Sequence, residues 1–174
     1  MATVETMRIS WEKQTNPYLR FLSNLHRPHL KIKRQILIPR PKRPSQTAFV
    51  NKGDELPPVK AWLMFDGTEE ELNAKDSVIL QFPGGGFVTM NPLHHDDYTG
   101  QWSKRLSIPI VSIDYGKAPE HPYPWAVEEC FDAYRSIVES NGAVIGIHSQ
   151  NAAMGSNEHQ PHRKLKIVFV GDSA

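Results

Sequence analysis

The sequence of 174 residues contains one cysteine, Cys130, and no long apolar segment. A single cysteine excludes an internal disulfide and favours a reducing compartment. The amino-terminal residues lack the basic and apolar regions of a signal peptide, and no apolar run approaches the roughly 20 residues needed to cross a bilayer. Because the net charge is only +1, it indicates no particular class of partner. We therefore expect a cytoplasmic protein without a transmembrane segment.

Charge is unevenly distributed, because the first third of the chain is basic. Residues 13 to 52 contain ten Lys or Arg and no Asp or Glu. The densest stretch, Arg27 to Arg43, also carries apolar residues, a combination typical of surfaces that bind anionic lipid or nucleic acid. It is equally compatible with a solvated strand pair whose charges are balanced by later acids, such as Asp66 and Glu69 to Glu71. The sequence leaves both interpretations open.

Hydrophobic periodicity predicts strands that alternate with helices through most of the chain. Such alternation indicates βαβ units and a mostly parallel sheet with flanking helices, with antiparallel pairing only among the first strands. The predicted strands are 30–38, 59–65, 77–82, 108–115 and 165–170; the predicted helices are 18–25, 96–106 and a third whose first turn contains Pro122 and Pro124 and which stops at Asn141.

Two segments are predicted to lack regular structure. Residues 66–76 are predicted to form a polar turn, and residues 142–163 a long loop in which His148, His159 and His162 face solvent. We accordingly divide the chain into residues 1–76 and residues 77–174, with a loop insertion at about 142–163. In the third helix we expect one apolar face, formed by Val127, Cys130, Phe131, Tyr134, Ile137 and Val138.

Two turns that follow apolar strands carry the candidate chemistry. Gly84 to Gly86 follow the strand that ends at Phe82, at the carboxyl edge where open α/β sheets bind ligands. Glycine lets backbone amides approach a ligand closely, so such a turn can stabilise an oxyanion. The second turn, Gly171 to Ala174, begins the Gly-x-Ser-x-Gly pattern of a nucleophile elbow, in which the amide after the serine completes the oxyanion hole.

With the segment between them, these turns resemble the N-terminal half of an α/β-hydrolase of the hormone-sensitive-lipase type, a family of esterases and lipases. The matching segments are VILQFPGGGFV, IPIVSIDYGKAPEHPYPWAVEECFDAYRSI and KIVFVGDSA, between residues 77 and 174. The resemblance implies an incomplete α/β-hydrolase fold, truncated at the nucleophile elbow. It also implies that residues 1–76 correspond to the family's N-terminal cap helices and first strands.

The resemblance implies roles for individual residues. Ser173 would be the nucleophile of an acyl-enzyme mechanism on a carboxylic ester, either a small acyl ester or a lipid. Pro83 stands where the family has a loop histidine, so the imidazole hydrogen bonds that brace the glycine turn are missing here. No metal and no other cofactor are implied. The oxyanion hole would consist of the amides of Gly85, Gly86 and Ala174, supported by Gly84 and Asp172.

A serine hydroxyl becomes a good nucleophile only when a base takes its proton and an acid orients that base. In this fold the acid and the histidine both follow the serine, so neither would lie within these 174 residues. None of the eight histidines is expected near Ser173. We therefore expect this chain by itself to be an unstable and inactive fragment, with its central strand exposed as an edge.

Other functions remain compatible with these residues. The main alternative is a non-catalytic module that binds anionic lipid or nucleic acid through residues 27–43. The hydrolase interpretation predicts no nucleic-acid partner and leaves peripheral membrane contact open. A peptidase or another acyl transferase on the same fold is not distinguished from an esterase by the two turns themselves.

The segment PLHHDDY contains residue types that bind metals, namely His94, His95, Asp96 and Asp97. Adjacent residues diverge around a helix, so their side chains cannot all point at one ion. We expect the aspartates to cap the helix that follows rather than to bind a metal.

Overall fold

A mixed five-stranded sheet with the strand order β1-β2-β4-β3-β5 forms the centre of the structure. The computed structural model describes residues 3–11, 17–18, 21–22, 27–41, 56–148 and 164–173. The β2 strand pairs antiparallel with β1 and β4, whereas β3 pairs parallel with β4 and β5, as the sequence predicts. The strands are β1, Ile32–Ile38; β2, Val59–Phe65; β3, Ser77–Phe82; β4, Ile110–Ile113; and β5, Lys166–Gly171.

Burial along the strands follows their place in the sheet. All four residues of β4 and the middle four of β3 are buried, as expected for continuous apolar runs covered on both faces. On β1 only the end residues Ile32 and Ile38 are buried. Val168 and Phe169 of β5 are about half-exposed, because β5 lies at the edge of the sheet that the described residues form.

Within the described residues, four α-helices have defined bounds, and two of them were not predicted. The first, α1, precedes the basic region; the second, α2, falls within the segment predicted as a polar turn. The α2 helix has a capping box, in which Thr68 accepts from the Glu71 amide and Glu71 accepts from the Thr68 amide. The polar-turn prediction is therefore wrong there. The helices are α1, Val4–Trp11; α2, Glu69–Asn73; α3, Asp96–Leu106; and α4, Trp125–Glu139.

Two predicted segments lie only partly within the described residues. The backbone is helical at 17–18 and 21–22, and the rest of the predicted helix 18–25 lies outside the described residues. Ile145 and Ile147 are buried in the main core, so the predicted loop from 142 to 163 begins too early. His148 is exposed, whereas His159 and His162 lie outside the described residues. The division at residue 76 stays a prediction.

The buried face of α4 agrees only in part with the predicted one. Ile137 is buried and Cys130 and Tyr134 pack against the core, whereas Val127, Phe131 and Val138 are about half-exposed. The helix also buries small and acidic residues, because each buried acidic side chain has a partner elsewhere in the chain. Glu129, for example, accepts a hydrogen bond of 2.6 Å from the Gly116 amide. The buried residues of α4 are Trp125, Ala126, Glu128, Glu129, Asp132, Ala133, Ser136 and Ile137.

Arg40 holds the chain after β1 against α4 through buried charges. Its side chain is only 2% exposed, and its Nε donates to Oδ2 of Asp132 at 2.6 Å. A second acid, Glu128, lies 3.8 Å away, and the guanidinium carbon stands 5.6 Å from the centre of the Trp125 ring. Because water cannot solvate Arg40 there, its charge depends on these acids.

Replacing Asp132 with alanine is expected to lower the free energy of unfolding by about 3 kcal/mol, since the buried charge of Arg40 loses its nearest partner. Urea denaturation of the longest natural chain that contains residues 1–174, and of its variants, measures this difference. Arg34→Ala is the control, because the Arg34–Glu69 pair is 47% and 50% exposed and contributes at most about 1 kcal/mol. Equal, small losses in both variants would contradict the buried ion pair.

Much of the basic region is neutralised within the fold. The acids that pair with it come from α2, α3 and α4, so the structure favours the solvated strand pair over a free cationic surface. Lys31 is exposed, while Lys42 and Arg43 lie outside the described residues. No helix in the described ranges is long and apolar enough to span a membrane. The ion pairs are Arg27–Asp96, Lys33–Asp96, Arg34–Glu69 and Arg40–Asp132.

Candidate active site

The two glycine-containing turns leave the same edge of the sheet side by side. Their strands, β3 and β5, are parallel neighbours, with Phe82 in register with Gly171. The Gly84 amide donates to Oδ1 of Asp172 at 3.2 Å. A Cβ at Gly84 would lie 1.9 Å from the backbone oxygen of Asp172, so only glycine permits this approach. The structure thus brings together the turns that the sequence singles out.

The glycine turn has a backbone conformation that ordinary residues avoid. Gly85 and Gly86 have φ values of 131° and 60°, and Phe87 continues in the left-handed region at 59°. The amides of Val88 and Thr89 both donate to the Gly85 carbonyl at 3.1 Å, which closes the turn. At Gly86 a Cβ would have no heavy atom within 4 Å, so one side of the turn faces open space where a ligand can approach.

The carbonyl group of Pro83 is bonded by the side chain of Tyr115, which follows the neighbouring strand β4. The buried hydroxyl of Tyr115 donates to the Pro83 carbonyl oxygen. Burial raises the pKa of Tyr115 to about 12, so this donor stays protonated across the neutral range. The turn that lacks the family's histidine is therefore anchored at Pro83 by Tyr115 and at Gly84 by Asp172.

Ser173 has the backbone conformation expected of a nucleophile elbow. Its φ of 49° is unusual for a residue with a side chain, and that side chain is exposed. Its hydroxyl has no hydrogen-bond partner within the part of the chain that the structure describes. Ala174, the third predicted oxyanion donor, lies outside the described residues. The structure thus places Ser173 directly after Asp172, the residue that contacts the glycine turn.

Asp172 connects the elbow to helix α3 as well as to the glycine turn. Its Oδ1 accepts a hydrogen bond of 3.1 Å from the Tyr98 hydroxyl, and Nδ1 of His95 lies 3.5 Å from its Oδ2. Tyr98 also accepts from Nε2 of Gln81 at 3.0 Å. Burial, and then the negative charge of Asp172, raise the pKa of Tyr98. The carboxylate therefore accepts hydrogen bonds from two separate elements, helix α3 and the glycine turn.

Sequence analysis did not identify Tyr98, Gln81 or Ser112 as residues of this site. Gln81 and Ser112 are fully buried in strands that are otherwise apolar. A polar residue in such a strand needs a hydrogen-bond partner, and this was the available signal. Tyr98 carries no comparable mark in the sequence, because its role depends on the distant Asp172.

The four residues of the His-His-Asp-Asp segment have separate partners. His94 Nδ1 lies 2.9 Å from Oδ1 of Asn91, and Asp96 pairs with two cations. Neither aspartate caps α3, whose N-cap is His95 without a side-chain cap, so the capping prediction is wrong. Asp97 accepts a hydrogen bond from the adjacent Tyr98 amide. In the ranges described, no group of three His, Cys, Asp or Glu could hold a metal ion.

Helix α1 is tied to the loops behind the glycine turn through Arg8. Its guanidinium donates to the carbonyls of Val88 and Ala118 at 2.9 and 2.8 Å. It also makes a two-pronged pair with Glu120, at 3.0 and 2.7 Å. This hydrogen bonding from Arg8 lowers the pKa of Glu120 to about 2. The N-terminal helix therefore contacts the rim of the candidate site.

Comparison with known proteins agrees with this geometry. Residues 79–174 match the family described as the alpha/beta hydrolase fold. Hormone-sensitive lipase from Homo sapiens is 52% identical over 58 residues, which cover 33% of this chain and 5% of the lipase. Esterase LipI from Mycobacterium tuberculosis is 41% identical over 101 residues, 58% of this chain and 27% of the esterase. The chain thus spans a small part of the curated relatives it matches.

Solved structures resemble the chain over nearly all of its length. A hyperthermophilic esterase from the archaeon Pyrobaculum calidifontis superposes with a TM-score of 0.66 at 22% identity, covering 98% of this chain and 43% of the esterase. A metagenomic carboxylesterase, EstE1, gives a TM-score of 0.64 at 23% identity, covering 98% of this chain and 45% of EstE1. At this identity the likeness establishes the fold.

Proposed function

Because the chain belongs to the α/β-hydrolases of the hormone-sensitive-lipase type, we propose that it carries the nucleophile and the oxyanion hole of a serine carboxylic-ester hydrolase. The supporting observation is the contact between the two turns, in which the Gly84 amide bonds Asp172 at 3.2 Å. Ser173, with its left-handed backbone, follows Asp172 directly, and the glycine turn has open space on the Cβ side of Gly86.

In this mechanism the Ser173 hydroxyl attacks the ester carbonyl carbon and gives its proton to a base. The carbonyl oxygen becomes negatively charged and accepts hydrogen bonds from the amides of Gly85, Gly86 and Ala174. The tetrahedral intermediate then expels the alcohol, which takes up the proton from the base, and leaves an acyl group on Ser173. Water, activated by the same base, releases the carboxylic acid and regenerates the hydroxyl.

We place the base and the acid of this mechanism beyond residue 174. In α/β-hydrolases both follow the serine along the chain, and no described side chain bonds the Ser173 hydroxyl. His95 reaches the elbow, but its Nδ1 faces the carboxylate of Asp172. Residues 1–174 alone are therefore expected to hydrolyse no ester, and activity requires the longest natural chain that contains them.

Ester specificity follows from the relatives rather than from the turns. The similar proteins are named lipases and esterases, so a small acyl ester or a lipid is the proposed substrate. The alternative of an anionic-lipid or nucleic-acid module is not favoured. Four cations of the basic region already pair with acids of the fold, which leaves little free positive charge in its described part.

The test is hydrolysis by the longest natural chain that contains residues 1–174. We expect release of p-nitrophenolate from p-nitrophenyl butyrate and no release of p-nitroaniline from the matching butyryl anilide. Absence of ester cleavage would contradict the proposal, and cleavage of the anilide at a similar rate would favour a peptidase. Cleavage by residues 1–174 alone would contradict the placement of the base. Salt-sensitive retention on anionic vesicles, lost in Lys31→Glu, would favour the binding module.

A further inference from the structure

A line of hydrogen bonds runs from Ser112 in the interior of the sheet to Asp172 in the elbow. The carboxylate of Asp172 determines which group donates in each of these bonds. A carboxylate only accepts hydrogen bonds, so the single hydroxyl proton of Tyr98 points to Asp172, 3.1 Å away. The Tyr98 oxygen then accepts from the amide of Gln81 at 3.0 Å. The carbonyl of Gln81 consequently accepts from the Ser112 hydroxyl at 2.5 Å.

The buried end of this line is rigid. Gln81 and Ser112 are fully buried on the adjacent strands β3 and β4, where they lie in register. Because the Tyr98 proton is directed to Asp172, turning the amide group of Gln81 over would place its carbonyl oxygen against a Tyr98 oxygen that has no proton to donate, and the bond between them would be lost. The position of the Tyr98 oxygen is thus fixed from the side of the sheet.

The ring of Tyr98 is held independently of its hydroxyl. Trp102 packs against it with ring centres 4.8 Å apart, and His95 contacts it edge-on at 5.7 Å. A phenylalanine at position 98 would keep these contacts and lose only the bonds to Gln81 and Asp172. Tyr98→Phe therefore removes the hydroxyl group and keeps the packing of the ring.

Asp172 depends on such a donor because its side chain is 45% exposed, so that water competes for its carboxylate oxygens. In the observed rotamer its Oδ1 accepts from both Tyr98 and the Gly84 amide. Rotation of the carboxylate toward solvent would break its hydrogen bond with the Gly84 amide, which connects the glycine turn to the elbow. Two donors on one oxygen thus keep the two turns together.

We propose that Tyr98 is a positioning residue for the reaction: its hydroxyl holds the Asp172 carboxylate in the rotamer that joins the glycine turn to the Ser173 elbow. This inference rests on the proposed function. The alignment of the Gly85 and Gly86 amides with Ser173 depends on the hydrogen bond between Gly84 and Asp172. Because oxyanion contacts strengthen in the transition state, loss of the hydroxyl lowers kcat and leaves KM unchanged.

Tyr98→Phe in the longest natural chain that contains residues 1–174 is expected to lower kcat for p-nitrophenyl butyrate about 10- to 100-fold, the range for a small misplacement of reacting groups. The matched control is Tyr123→Phe, since Tyr123 is 87% exposed and lies outside this line; its kcat should equal that of the parent protein. A Tyr98→Phe enzyme with the parent kcat would overturn the inference.

A double-mutant cycle separates positioning from packing. If Tyr98 acts through Asp172, adding Tyr98→Phe to Asp172→Ala causes no further loss of kcat, because the group that Tyr98 orients is already gone. Losses that multiply would assign Tyr98 a packing role and overturn the inference. The cycle therefore distinguishes the two roles even when both single variants are slow.

Amide hydrogen exchange tests the contact between Gly84 and Asp172 without a measurement of activity. In Tyr98→Phe the peptide that covers residues 83–88 should exchange faster than in the parent protein, and in Tyr123→Phe it should not. Unchanged exchange in Tyr98→Phe would overturn the inference. Absence of ester hydrolysis by the parent protein would reject the proposed function, whereas the exchange measurement would still decide whether Tyr98 joins the two turns.

Discussion

Replacing Ser173 with alanine is expected to lower kcat for p-nitrophenyl butyrate by about a millionfold in the longest natural chain that contains residues 1–174. The change removes the oxygen that would attack the ester, and a triad enzyme without its nucleophile keeps only the contribution of binding and of the oxyanion hole. The hydroxyl of Ser173 makes no hydrogen bond in the described structure, so the free energy of unfolding should not fall.

The control for this loss is Ser10→Ala, because Ser10 is an exposed residue of helix α1 whose hydroxyl donates to the Met7 carbonyl and lies far along the chain from both turns. Steady-state kinetics, with the protein quantified by its absorbance rather than by reaction of the active site, measures both variants. A Ser173→Ala protein that keeps more than about a hundredth of the parent kcat would show that another group is the nucleophile, since triad knockouts lose far more.

Gly84→Ala is expected to lower kcat by about 100-fold, although the change adds a single methyl group. That methyl group would lie 1.9 Å from the backbone oxygen of Asp172 and 2.9 Å from its Oδ2. The strands β3 and β5 cannot move apart, because they are paired in parallel register directly behind the turns. The turns themselves must therefore separate locally, and the amides of Gly85 and Gly86 would move away from Ser173.

A second glycine distinguishes this clash from a general effect of lost flexibility. Gly146 has a φ of 85°, and a Cβ there would lie 3.5 Å from the Leu72 side chain, an ordinary contact. Gly146→Ala should cost about 1 to 2 kcal/mol of stability through its left-handed backbone and leave kcat unchanged. A Gly84→Ala enzyme with the parent kcat would contradict the close approach of the two turns.

The fold was largely predictable because its strands are local apolar runs. Ser77 to Phe82 and Lys166 to Gly171 are recognisable in the sequence, and the alternation with helices predicts their parallel pairing. The α2 helix was missed, although Thr68 and Glu71 have the spacing of a capping box. That miss came from overlooking a local signal and not from any long-range effect.

The buried face of α4 could not be predicted from the helix alone. Glu128 and Asp132 are buried because Arg40, which is remote in sequence, brings its charge to them. Periodicity instead assigned burial to Val127 and Phe131, which are about half-exposed. Local hydrophobicity misleads where a distant side chain supplies the counter-charge.

The candidate site shows the same division between local and long-range information. The glycine turn and the elbow were identifiable because each follows its strand directly, and the structure brings Gly84 to Asp172. The supports of these turns come from other elements, namely Tyr98 of α3 and Tyr115 after β4. No short motif marks a tyrosine whose partner lies 74 residues away.

The proposed reaction requires that an oxyanion formed at Ser173 accepts hydrogen bonds from the amides of the glycine turn. A crystal structure of the longest natural chain, after reaction with a p-nitrophenyl alkylphosphonate, shows this contact, because the phosphonyl oxygen occupies the place of the oxyanion. We expect a covalent bond to Oγ of Ser173, with that oxygen about 3 Å from the amide nitrogens of Gly85 and Gly86. Phosphonylation of another residue, or an oxygen directed away from the glycine turn, would contradict it.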